Sequence, residues 1–203
     1  MNKFLFFLLI IVSTSLYAQK REKREGYYSA YLYSVDAPAG MPDVLIDTLQ
    51  SSYEDGILSV KWKYGLTQIG FELSNKSEKT IRIIWDDAAF IGIDGETNKV
   101  FHKGVKFVDR TNPQPPTAIY RNSVLSDLVS PSSYTKYESG PYSGGWVSDP
   151  LIPAYQGKFS NKIEYVSVFI GQTLRVVLPI KVDENLREYI FNFRTTFVDT
   201  SKR

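Results

Sequence analysis

From residue 56 onward, apolar side chains recur at every second position, and no stretch of that region keeps a helical period. In "GILSVKWKYG", Leu58, Val60, Trp62 and Tyr64 share one face, while Ser59, Lys61 and Lys63 take the other. Successive strand side chains point to opposite faces, so this pattern predicts a half-buried strand. "TQIGFELSNKSEKTIRIIW" predicts a hairpin, with Ile69, Phe71 and Leu73 answered by Ile81, Ile83 and Trp85 across an "SNKSEK" turn. Asn75-Lys76-Ser77 matches a glycosylation sequon, but turn chemistry accounts for the asparagine without a sugar. "AAFIGIDGETNKVFHKGVKFV" predicts a second hairpin about Asp94-Gly95. The clearest hairpin is "LRVVLPIKVDENLREYIFNFRTTF". There Leu174, Val176, Leu178 and Ile180 face Tyr189, Phe191 and Phe193, with "DEN" at the corner. Asn161–Thr173 fits a strand or a short helix equally.

Short strands, regular turn signals and an absence of helical period predict an all-β fold, a single antiparallel β-sandwich. The order "F-x-L-x-N-x-S-x-K-T-I-x-I" (Phe71 to Ile83), then "SVLSDLVSP", then two long strands, is similar to small exported bacterial immunoglobulin-like modules. In those modules a strand ending at Asn enters a Lys-Thr-Ile return, as at Asn75 and Lys79–Ile81. The resemblance spans roughly residues 56–197 and implies an immunoglobulin-like sandwich; it implies no function. The antibody-type cysteine pair does not carry over, because the chain has no cysteine.

Residues 1–18 set a location. Lys3 is followed by the apolar run "FLFFLLIIV" and then by "STSLYA", ending in Ala18. Charge, apolar core and small-residue exit, in that order, predict a cleavable signal peptide, and nine apolar residues are too few to span a bilayer. The protein is therefore expected to be exported, to the periplasm or beyond. Without cysteine it carries no lipid anchor of the bacterial type. Stability must then come from packing alone, which about 185 residues can provide by burying roughly 70% of their unfolded surface. "QKREKRE" (19–25) has mixed charge and no apolar residue, so residues 19–43 are expected to be a flexible arm before a single domain, 44–203. The Tyr-rich Gly26–Val35 in that arm is a candidate for pairing with a neighbour's sheet edge.

Lys+Arg number 24 against 22 Asp+Glu, so no basic field exists for nucleic acid. His102 is the only histidine. It stands in "VFHKGVKF" and is expected to face solvent or a loop, which leaves no histidine-based triad or zinc site. Asp86, Asp87, Asp94, Glu96, Asp109, Glu138 and Asp149 fall in turns and loops, where acids are usually solvated. No catalytic residue, metal site or cofactor is expected.

Residues 130–158 show no strand pattern and hold "SGPYSGGWVSDPLIP". A loop of this length is usually functional or pinned. Its Tyr134, Tyr137, Tyr142, Trp146 and Tyr155 form the candidate binding set, since Tyr and Trp offer large area at low entropy cost. The same rings could instead plug an open end of the sandwich. Ordering the loop costs about 1–2 kcal/mol per residue, which predicts a mostly buried Trp146 as its anchor. The expected function is a non-enzymatic exported module acting by binding or assembly on an envelope protein or glycan, monomeric when isolated. The rival readings are a carbohydrate-binding or carbohydrate-hydrolysing protein and a fibre subunit joined by edge-strand addition.

Overall fold

A computed structural model describes residues 26–38, 40, 45–140, 144–153, 155–156, 163–164 and 167–200. The leader and the segment 19–25 lie outside the described residues. The strands, in chain order, are β1 (Gly26–Asp36), β2 (Leu45–Asp47), β3 (Ser52–Glu54), β4 (Leu58–Tyr64), β5 (Ile69–Asn75) and β6 (Ile81–Ile83). They continue as β7 (Ala89–Ile91), β8 (Thr97–Phe101), β9 (Thr117–Ile119), β10 (Val124–Pro131), β11 (Thr135–Ser139) and β12 (Gly144–Ser148). The last four are β13 (Tyr155–Gln156), β14 (Ile163–Glu164), β15 (Thr173–Val182) and β16 (Asn185–Asp199). Among the described residues the helical elements are single 3-10 turns, and none is long and apolar enough to cross a membrane.

Twelve strands form one antiparallel sheet in the order β1-β16-β15-β7-β8-β10-β5-β4-β3-β2, with β6 and β9 branching from β15. The sheet is barrel-like. Its two halves join through β8 and β10 at only two residue pairs, Ser130 with Phe101 and Pro131 with Val100. On the other side Ser51 closes the curl, its hydroxyl accepting the Leu32 N–H (3.3 Å) and its carbonyl the Trp62 N–H (2.9 Å). Alternation explains what fills the interior. Leu58, Val60 and Trp62 of β4 point inward, as do Leu174, Val176, Leu178 and Ile180 of β15 and Tyr189, Phe191 and Phe193 of β16. The Trp62 ring lies 5.1 Å from Phe71, 4.8 Å from Phe191 and 5.3 Å from Phe193, so it binds the two halves together.

Two of the expected hairpins form. β7 pairs with β8 around a turn with Gly95 at φ +82°, a left-handed conformation that glycine adopts without strain. β15 pairs with β16 along ten residues. The β5–β6 hairpin does not form: β5 pairs with β4 and β10, whereas β6 pairs with β15 and β9. The chain crosses from one half to the other at this corner because the apolar faces of both strands line the same core from opposite sides. Asn75 holds the corner. Its buried amide donates to the carbonyls of Lys79 (2.7 Å) and Ile119 (2.9 Å), and its Oδ1 accepts the Ser77 N–H (2.9 Å) and hydroxyl (2.8 Å). In the folded chain the sequon nitrogen is therefore fully engaged.

The 26–36 part of the expected arm is instead a full strand. β1 pairs with β16 from Gly26–Asp199 to Asp36–Ile190 and buries Tyr28, Ala30 and Leu32. Its alternation is hidden in the sequence because Tyr27, Tyr31 and Tyr33 occupy the opposite face, so polarity hardly changes from one position to the next. This segment meets its partner edge within its own chain. In the ambiguous 161–173 region, β14 and a 3-10 turn at Ser167–Phe169 precede β15.

One buried carboxylate ties the closed sheet. Asp55 Oδ2 accepts the hydroxyls of Tyr53 and Tyr189, each at 3.0 Å, and Oδ1 accepts the N–H groups of Ile57 (2.7 Å) and Leu58 (2.9 Å). Removing it orphans four donors, three of them buried, at roughly 1–3 kcal/mol each where water cannot reach them. Asp55→Ala is therefore expected to lower the unfolding free energy by about 3 kcal/mol or more, and Asp55→Asn by less, as read from urea unfolding midpoints. Burial, reinforced by the Asp55 charge, pushes the Tyr53 and Tyr189 phenols above their ordinary 10.0, and burial alone does so for Tyr64. Above pH 10 the unfolded chain releases these protons while the folded one keeps them, so stability is lost as pH rises. Unfolding midpoints should fall steeply above pH 10, with these phenols ionising only on unfolding when followed by ultraviolet absorbance.

Candidate functional site: an exposed aromatic hairpin

Residues 130–158 are not strand-free. β10 runs to Pro131, and β11 and β12 form a separate two-stranded hairpin with Tyr137 directly opposite Trp146. The pattern is obscure in the sequence because "TKYES" and "GGWVS" bury little on either face. Thr135 and Ser148 close the base of the hairpin with a 2.8 Å hydroxyl–hydroxyl bond, and the Asp149 N–H donates to the Tyr134 carbonyl at 2.8 Å. A Cβ at Gly144 would meet the Tyr137 hydroxyl, so a side chain there would push that ring from its place over the hairpin.

Three large rings cluster on this hairpin and the turn beside it. Trp146 lies 5.7 Å from Tyr137 at an interplanar angle of 74°, and 5.9 Å from Phe107 at 52°. All remain open to solvent: Tyr137 is 58% exposed, Phe107 41% and Trp146 38%. Val108, next to Phe107 in the chain, is exposed as well, and the buried Phe101 supports Phe107 from below at 5.8 Å. The Arg110 guanidinium stands 4.9 Å from the Trp146 ring centre, a cation–π contact. Its Nε donates to the Ser132 carbonyl (3.0 Å) and its Nη1 to the Phe107 carbonyl (2.8 Å), which fixes the group in place.

Trp146 is thus not the buried anchor that loop entropy predicts. That role falls to Leu151 and Ile152, which are fully buried, with the Leu151 N–H donating to the Leu66 carbonyl at 2.8 Å. Aliphatic side chains at the hairpin's exit enter the core, and the indole stays at its edge with 38% of the residue exposed. Of the other candidates, Tyr134 packs half-buried against Phe90 at 5.9 Å. Burial, then the charges of Asp94, Glu96 and Asp149, holds its phenol above the ordinary value. Tyr142 lies outside the described residues, and Tyr155 is described only as backbone in β13. Phe107, Val108 and Arg110 complete the surface. They escape sequence reading because "KFVDR" carries no motif of its own, and only the fold places it beside Trp146.

His102 also differs from expectation. Its ring stacks on the buried Trp85 at 4.2 Å and an angle of 1°, and Nδ1 lies 3.1 Å from Asp127 Oδ2. Asp127 Oδ1 accepts the N–H groups of Lys103 and Leu128, each at 2.8 Å. The pair reinforces the narrow β8–β10 join, a contact across 25 residues that no local pattern displays. Five of the loop carboxylates hold other parts of the chain. Asp86 accepts the Gln114 N–H, Asp94 the Glu96 N–H, and Asp109 the Asn112 amide. Glu138 and Asp149 pair with Lys136 at 3.6 and 3.1 Å. A second concavity of about 390 Å³ opens over Lys61, Lys63, Gly70, Glu72 and Ser126, without an exposed aromatic ring.

No protein-family model, curated protein or solved structure matches the chain. The geometry alone therefore carries the functional argument. Because Leu151 is the buried anchor, Leu151→Ala is expected to destabilise the protein by about 2–5 kcal/mol, measured by chemical denaturation.

Proposed function

We propose that this protein is a non-enzymatic, exported binding or assembly module, and that the Tyr137–Trp146–Phe107 surface is where its partner sits. The observation that carries the reading is three adjacent large rings partly open to solvent, two on a hairpin outside the main sheet and one on the turn beside it. Exposed contiguous apolar patches of this kind mark interaction sites, and Trp, Tyr and Arg dominate the energetics of such sites. The charge–apolar–small order of residues 1–18 supports export. Two facing halves of an antiparallel sheet, joined by a narrow seam, support an immunoglobulin-like arrangement.

A protein partner is preferred over a glycan. Stacking a sugar calls for coplanar exposed rings, whereas Trp146 meets its two neighbours at 74° and 52°. The surface is faceted, as befits interdigitating side chains.

Trp146→Ala tests the reading. With 38% of Trp146 exposed, unfolding free energy should fall by less than the ~3–5 kcal/mol of a fully buried Trp→Ala change, while co-purification of the envelope partner with the tagged protein is abolished. A collapsed melting temperature with capture intact would reverse the assignment and make the ring structural.

A further inference from the structure

We infer that the aromatic surface is selective for a protein segment that sets acidic side chains beside apolar ones, with Arg110 as the residue that reads the acid. The inference rests on the proposed role of this surface in binding. Arg110 has five N–H donors, of which Nε and one on Nη1 are held by the carbonyls of Ser132 and Phe107. Three donors stay available on a group already fixed beside the Trp146 ring, so little freedom is lost when they engage a carboxylate. Among the described residues Arg110, Lys103 and Lys106 make no ion pair. Lys106 directly precedes Phe107 and is exposed, as is Lys103 in the preceding turn.

The nearby acids offset part of the lysine charge. Asp109 keeps its charge while accepting from the Asn112 amide at 3.1 Å, and Glu138 and Asp149 share Lys136, but none of them pairs with Arg110. Arg110 therefore sets a fixed guanidinium with free donors against an apolar centre of Trp146, Phe107 and Tyr137. The free donors of Arg110 call for a carboxylate, and the rings beside it call for apolar side chains in place of sugar hydroxyls.

A random peptide display library panned on the full chain, with Trp146→Ala as the counter-selecting protein, tests this. Enriched peptides should place Asp or Glu within two residues of Leu, Phe or Trp. In fluorescence anisotropy, replacing those acids by Asn and Gln should weaken binding to the unaltered protein about tenfold or more, and Arg110→Gln should weaken the acidic peptide similarly. Enriched peptides without acids, or acids whose replacement leaves Kd unchanged, overturn the inference and leave the binding surface standing. Peptides held equally by Trp146→Ala overturn both. Polygalacturonate competing more strongly than any peptide transfers the surface to an acidic glycan, and failure to enrich any peptide rejects the inference.

Discussion

The closed form of this sheet depends on the Asp55 carboxylate. A curled antiparallel sheet must hold its far edges together, and a chain without cysteine has no covalent means of doing so. Asp55 joins the turn before β4 to β16 by accepting from Tyr53, Tyr189, Ile57 and Leu58 at once. All of its donors are local or ring-borne, and the Tyr53 and Tyr189 rings meet edge-on at 6.1 Å beneath it. The polar knot therefore also fixes the packing of the aromatic core. A buried network of this kind specifies one arrangement because any other would leave donors without acceptors.

Alternation made the inward faces of β4, β5, β15 and β16 legible before any partner was known. It reports which face is buried but is silent on what lies across the sheet. That is why Ile69–Leu73 and Ile81–Ile83 read as a hairpin although Asn75 turns the chain into the other half. β1 was illegible for a different reason: tyrosine on both faces erases the polarity contrast that marks an amphipathic strand. The polar contacts of Asp55 with Tyr189, and of His102 with Asp127, join residues 134 and 25 positions apart. Only the assembled fold displays them.

The candidate site was half legible. Composition drew attention to Tyr137 and Trp146, and the structure makes them cross-strand neighbours. The loop-entropy argument was sound in requiring an anchor but selected the wrong side chain, because an indole flanked by glycines can be held at its edge while Leu151 and Ile152 fill the interior. Arg110 and Phe107 come from a turn some thirty residues earlier in the chain. Their contribution shows how a recognition surface can be assembled from a hairpin and the seam region that supports it.

The pairing of β1 with β16 has a mechanical consequence. Gly26 lies opposite Asp199, so the two ends of the described sheet leave side by side. Tension applied through both ends would load this antiparallel ladder from its tip and meet one rung at a time, as in peeling, with no stretch of bonds sharing the force in shear. Single-molecule stretching from the termini should therefore record a low rupture force for β1. The aromatic hairpin lies off that line of force, so a pull on the chain ends would strip the outer strand before it reached the surface to which a partner is bound.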